Sequence, residues 1–374
     1  MNQSILFWLS LALVMGLAIP SESSAQRTQN SAQKVLTIRV PYKSKSYVGR
    51  PLIWDGQEMM LLRRDGKISI LPVKTENDYQ RIKTGFDPLS LNAMQLKLQK
   101  EFGSKYQVST TQNFVVVHPP GDYMTWASPF QVSYSRFRAY FSSRGFTLEH
   151  PEFPMVAVVL RTRAEFDRFL RDYHDYDSEI LGYYSPRSNR IITYDQSAGR
   201  STSKDWFFNA DTVIHEAAHQ SAFNTGIHSR FAPVPRWISE GLAMLFEAPG
   251  VNNSMYYSRR ADRINPGRLR DLKHFYQQGE VKGKLPKLIL TDDLFRTDPQ
   301  LAYAYAWGVT FFLSETMPDA YHQFLRHDGQ RTNFEEYARQ QKADNFAAAF
   351  GSDIAGLEAR MKRFIDAQKI PPIK

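Results

Sequence analysis

The stretch DTVIHEAAHQSAF (residues 211–223) carries two histidines four residues apart, with a glutamate directly after the first. Four residues are close to one helical turn, so a helix here projects both imidazoles from one stripe, with backbones about 6 Å apart. Side chains can close that gap onto one Zn²⁺ at about 2.0–2.1 Å from each nitrogen. Glu216 lies about 100° round the helix. That is too far to ligate comfortably, but close enough to take the proton of a water activated by the metal, which is the physical content of H-E-x-x-H. The plain alternative is a pair of ordinary surface or core histidines, so His215 and His219 need a third ligand in a credible place.

Two residues compete for that role. His228 follows His219 by nine positions, but Ala222 and Thr225 stand where the metzincin pattern wants glycine and a third histidine, so that pattern fails. VPRWISEGLAMLFE (234–247) reads as a second helix, opened by Pro235, with Trp237, Ile238, Leu242 and Leu245 as its apolar side. On it Glu240 is a carboxylate among apolar residues. A buried carboxylate wants a cation, and one Zn²⁺ per chain supplies it; otherwise Glu240 is a solvated glutamate on a helix margin. Two histidines and a glutamate with an open fourth position make a hydrolytic rather than a structural zinc site. In such a site Glu216 takes the water's proton and passes it to the leaving amine.

The elements that must position these residues can be read around them. The spacing predicts the first helix over 210–225, with Asn209 as its N-cap and Gly226 as its stop, and a small apolar face at Ile214, Ala217, Ala218 and Ser221. Upstream, KVLTIRV alternates as a half-buried strand, and Asp55-Gly56 and Asp65-Gly66 punctuate short apolar runs, predicting an antiparallel meander over 34–80. A helix is expected over 87–103, strands at YQVST and NFVVVHP, and a helix through Phe130, Tyr134, Phe137 and Phe141. A buried strand follows at 155–160, then a helix and a hairpin over 180–195 turning at Pro186–Asn189. Mixed strands and helices followed by helices to the end indicate an α+β class. The expected organisation is a signal peptide (1–25), a polar leader with a small β module (26–80), and a catalytic domain (81–374).

Composition narrows the classes. The chain has 374 residues, is 42% hydrophobic and contains no cysteine, which removes disulfides, thiolate ligands and thiol catalysis together. The apolar run Ile5–Ile19 breaks at Pro20 and leads to Ser23 and Ala25, where a signal peptidase wants small side chains. The run is shorter than a membrane span, so the expectation is export to the periplasm or beyond, with no span after cleavage. The formal charge of +9 serves solubility or adhesion to anionic envelope polymers. No basic stretch is interleaved with aromatics as nucleic-acid binding would require.

HEAAH followed 21 positions after His219 by Glu240 within WISEGLA resembles the gluzincin metallopeptidases, whose pattern is HExxH and then a downstream glutamate helix. Residues 86–365 are similar to a family of exported bacterial peptidase-MA-like proteins, through GYYSPRSNRIITYD before the first helix and YAYAWGVTFFL after the second. The resemblance implies a zincin-like fold, a polypeptide substrate, and a strand around Arg190–Tyr194 serving as the sheet edge that holds extended substrate. It also implies a tyrosine or histidine downstream that stabilises the oxyanion, the alternative being that Tyr303 and Tyr305 are ordinary core tyrosines with satisfied hydroxyls. A tyrosine four before a tryptophan favours Tyr303, although Tyr305 is close by and lies about 200° round the helix. The G-x-M-E-N segment of the aminopeptidase branch is not found, which points to endopeptidase action. A binding or envelope-structural protein that keeps the fold without turnover is the alternative, and the intact Glu216 speaks against it.

Overall fold

A computed structural model describes residues 35–121, 123–172, 180–197 and 207–371. The expected signal peptide and most of the polar leader lie outside the described residues. Among them no helix is long and apolar enough to cross a membrane.

The chain opens with β1 (Leu36–Tyr42), β2 (Lys45–Trp54), β3 (Glu58–Arg63), β4 (Ile68–Pro72) and β5 (Gln80–Thr84), an antiparallel sheet in the order β4-β3-β2-β1-β5. The two Asp-Gly turns join β2 to β3 and β3 to β4, with Gly56 at φ 86° and Gly66 at φ 78°, a region that favours glycine. β3 is apolar on both faces: Met59 and Leu61 join Ile38, Val40, Leu71 and Val73, while Met60 and Leu62 turn with Ile68 onto Phe153, beyond the β module. The sheet runs past the expected limit of the meander. QRIKT forms β5 with every residue exposed, and it takes its place by pairing with β1.

A second sheet follows, built from β6 (Gln107–Thr110), β7 (Phe114–His118), β8 (Met155–Leu160), β9 (Gly182–Ser185) and β10 (Arg190–Tyr194) in the order β6-β7-β8-β10-β9. β7, β8 and β10 are mutually parallel, and β6 and β9 close the two ends antiparallel. Helices cover both faces, which is why β7 and β8 read as unbroken apolar runs. Val115, Val117, Val156 and Val158 face α1 (Leu91–Phe102) and α3 (Arg163–Asp172). Phe114, Val116, Ala157 and Val159 face α2 (Ser128–Ser142), through Phe130 and Tyr134, and α4 (Phe207–Asn224). Helix α1 starts later than the sequence predicts: Ser90 caps it, its hydroxyl accepting from Ala93 N, so Pro88 stays outside.

One expectation is overturned here. The strand over Arg190–Tyr194 is not the sheet edge, because it is parallel to β8 on one side and antiparallel to β9 on the other. The hairpin turn folds β9 outward, and β9 is the edge.

From α5 (Arg236–Phe246) onward the described chain is helical: α6 (Pro266–Gln277), α7 (Pro299–Thr316), α8 (Pro318–Gly329), α9 (Arg339–Phe350) and α10 (Ile354–Ala367), with shorter turns between. One cluster unites them, including Trp237, Leu242, Leu245, Leu272, Trp307, Phe311, Tyr321 and Met361. The molecule is therefore mixed α+β, with an N-terminal β module and a helical C-terminal half.

Candidate metal centre

Helix α4 is gripped from two sides. Val213 and Ala217 pack against the second sheet, while Ala218 and Ala222 pack into the helical half. Buried Gln220 fixes its rotation by donating to the carbonyls of Val156 (3.2 Å) and Asn189 (2.9 Å). The helix begins at Phe207, so Asn209 lies inside it and is not its cap; its side-chain oxygen accepts from Gln196 N instead. At the far end Gly226, at φ 83°, follows the last turn as predicted.

Helix α5 crosses α7 at Gly241, where a Cβ would come 2.8 Å from the Ala306 carbonyl oxygen and collide with the Thr310 hydroxyl. The close crossing presents Glu240 to α4. His215 Nε2 and His219 Nε2 stand 3.2 Å apart, and Glu240 Oε2 is 3.4 Å from the first and 3.5 Å from the second. Tetrahedral ligands at about 2.0–2.1 Å from a zinc ion are separated by about 3.3–3.4 Å. The three donor atoms thus form a triangle of the size one Zn²⁺ requires, and they are the group of donors within 4.8 Å of one another among the described residues.

The electrostatics also fit a cation. Burial opposes a charged imidazole at His215, but Glu240 and Glu247 outweigh it and hold its pKa well above the usual histidine value. Burial likewise opposes the charged form of Glu240, yet His219 and His215 hold its pKa well below the carboxylate range. Glu216 is 7% exposed, and burial raises its pKa despite the pull of the two histidines. Three carboxylates converge on two imidazoles.

Glu216 lies against the sheet edge. A Cβ at Gly182 would come 2.9 Å from Glu216 Cγ and 2.7 Å from Thr212 Cγ2. Gly182 is what lets β9 approach the helix so closely.

The partner behind His215 is one that sequence reasoning missed. Its Nδ1 is 2.7 Å from Oε1 of Glu247, whose Oε2 accepts from Asn265 at 2.5 Å. A carboxylate on the far nitrogen fixes the ring's tautomer and aims Nε2 at the metal position. Asp211, one turn before His215, neighbours Glu247 and does not hold the ring. The available signal was spacing, since Glu247 follows Glu240 by seven residues, two turns along the same helix face.

The other sequence candidates separate cleanly. The Tyr303 hydroxyl accepts from Arg236 Nη2 at 2.8 Å, within the field of Glu240 and Glu216; burial first, and then Glu240, push its pKa up. Tyr305 is fully buried and turns the other way, donating to Glu358 at 2.6 Å. His228 does not join the ligands. It packs against Phe223 with ring centroids 5.2 Å apart, and burial, followed by the charge of His219, lowers its pKa to about 3.

Comparisons with known proteins complete the description. Residues 209–335 match the model of a family described as a protein of unknown function (DUF1570), a span that includes His215, Glu216, His219, Glu240, Glu247 and Tyr303. No curated protein matches the chain. Among solved structures, a variant of a two-domain M1 zinc metallopeptidase bound to L-arginine is similar at 13% identity and TM-score 0.38, over 71% of this chain and 52% of that one. A variant M1 zinc metallopeptidase from Deinococcus radiodurans is similar at 12% identity and TM-score 0.40, over 91% of this chain and 62% of that one. The chain thus spans less than two thirds of the length of either structure.

Proposed function

We propose that the protein is an exported, zinc-dependent peptide-bond hydrolase of the zincin-like gluzincin type, acting as an endopeptidase. The observation that carries this reading is the 3.2–3.5 Å triangle of His215 Nε2, His219 Nε2 and Glu240 Oε2. These three residues would hold one Zn²⁺ and leave a fourth position open. When bound, the metal supplies Lewis acidity, acidifying a water molecule and polarising a peptide carbonyl. Glu216 then accepts the proton of the attacking water and delivers it to the leaving nitrogen as the C–N bond breaks. Tyr303 offers a hydroxyl to the oxygen on which negative charge develops. Glu247 and Asn265 keep the His215 ring in register. Edge strand β9 runs beside Glu216, with a strand partner on one side only among the described residues, and suits an extended polypeptide laid along it by backbone hydrogen bonds.

Two measurements on purified protein test this. Elemental analysis after gentle purification should find one zinc per chain; no stoichiometric divalent metal would remove the metal from the reading. Glu216→Gln should keep that zinc yet lose hydrolysis of an unfolded protein substrate by at least about a hundredfold. Parent-like hydrolysis in Glu216→Gln would show that this glutamate is not the base.

A further inference from the structure

The first turn of α5 carries a cation that the proposed chemistry does not use. Arg236 lies one turn before Glu240, its side chain only 26% exposed. Its guanidinium stands 4.8 Å from the centre of the Phe295 ring and 5.6 Å from that of Tyr303, against two rings that themselves meet edge to face. From there Nε stands 3.9 Å from Glu240 Oε1, an ion-pair distance, while Nη2 donates to the Tyr303 oxygen at 2.8 Å. An arginine four residues before a glutamate is the less favourable order for an exposed helix pair, so helix stability does not account for the placement.

We propose that Arg236 is a positioning residue that fixes Glu240 as a one-oxygen ligand and Tyr303 as a hydrogen-bond donor. The inference rests on the metal reading above. A carboxylate can bind a metal through one oxygen or swing to use both. Here Oε2 faces the two histidines, and the guanidinium attracts Oε1 to the opposite side. The second effect follows from donor counting. A guanidinium has five N–H donors and no acceptor, so in its bond with Arg236 the Tyr303 oxygen accepts. The phenolic hydrogen is then left to point away from Arg236, toward whatever oxyanion forms in the cleft. The adjacent positive charge makes that hydroxyl a stronger donor.

The test uses the full chain with three substitutions, Arg236→Met, Arg236→Gln and Arg236→Lys, and reads zinc affinity by competition with a chromophoric chelator. The unfolding midpoint of each metal-free variant is measured alongside. Arg236→Met and Arg236→Gln should bind zinc about 10- to 100-fold more weakly, as loss of a partner behind a ligand does. Arg236→Lys keeps the charge near Oε1 and should restore affinity to within a few fold of the parent. A compact ammonium cannot span both contacts, so in the lysine background Tyr303→Phe should cost no further turnover. If Arg236→Met does not fold, the glutamine and lysine variants carry the comparison. Parent-like zinc affinity in the folded methionine or glutamine variant overturns the role at Glu240. Independent, multiplying losses from Arg236→Lys and Tyr303→Phe overturn the role at Tyr303. A parent that takes up no zinc defeats the metal reading itself, an outcome distinct from both.

Discussion

At the scale of single residues, Tyr303 and Tyr305 make the sharpest contrast, because two chemically identical side chains two positions apart meet opposite fates. Tyr303 joins Arg236 beside Glu240, whereas Tyr305 is spent on Glu358 in the helical core. Tyr303→Phe should keep zinc and the fold while turnover falls at least about tenfold, equivalent to about 1.36 kcal/mol of barrier. Tyr305→Phe should leave turnover of the folded fraction unchanged and lower the unfolding midpoint, since half-buried Glu358 loses the hydroxyl that donates to it. A large turnover loss in Tyr305→Phe with none in Tyr303→Phe would reverse the assignment. Helical spacing alone made half of this site legible: His215 and His219 share a stripe because they are four apart, and Glu240 betrays itself as a carboxylate among apolar residues. Arg236 was not legible, and Glu247 only through its seven-residue spacing from Glu240. A glutamate at a helix end and an arginine in a first turn look like ordinary surface charges until α4, α6 and α7 pack against them.

At the scale of elements, the site depends on two places where backbones come closer than side chains would permit, one at Gly241 between α5 and α7 and one at Gly182 between β9 and α4. The second bears directly on chemistry. In Gly182→Ala the new methyl must displace Glu216 or push β9 away, while His215, His219 and Glu240 are untouched. Zinc content should stay at one per chain and hydrolysis should fall about tenfold or more, as misplacement of a reacting group predicts. Parent-like hydrolysis would mean that Glu216 tolerates the shift. The hairpin that forms this edge was readable from GYYSPRSNRIITYD, but which of its two strands lies outside was not. That choice is made by β8, which lies some thirty residues upstream and takes β10 as its parallel neighbour. Likewise QRIKT carries no apolar alternation, and only the open side of β1 makes it a strand.

At the scale of the whole molecule, the β module is tied to the remainder by charge as well as by apolar contact. Asp65, in the β3–β4 turn, meets Arg63 at 3.2 Å and Lys97 of α1, and Glu101 of α1 takes Arg190 at 2.7 Å and Lys67 at 3.7 Å. Arg230, in the segment between α4 and α5, adds bonds to the carbonyls of Gly66 and Pro186. Burial works against a charged Asp65, but Arg63 and Lys97 hold its pKa below the usual aspartate value, and Glu101 is lowered in the same way. A folded pKa below the unfolded one, about 3.9 for aspartate, means stability that is complete above that value and lost as pH falls through the folded value. The parent's unfolding midpoint should therefore drop below about pH 4, and Asp65→Asn should show a shallower drop in that window. At neutral pH the same variant should cost about 1.5 kcal/mol, the loss of a hydrogen bond to a charged group whose partners stay partly solvated. An unchanged acid profile would show that these pairs contribute nothing to docking. The crossing at Gly241 has a further consequence, which concerns time rather than place. Glu240 is presented to the histidines where α5 leans on α7, and α7 lies about sixty residues further along the chain. A growing or partly unfolded chain that already displays HEAAH therefore offers two donors instead of three. On the proposed reading, the metal centre therefore stays incomplete until the helical half has closed over it.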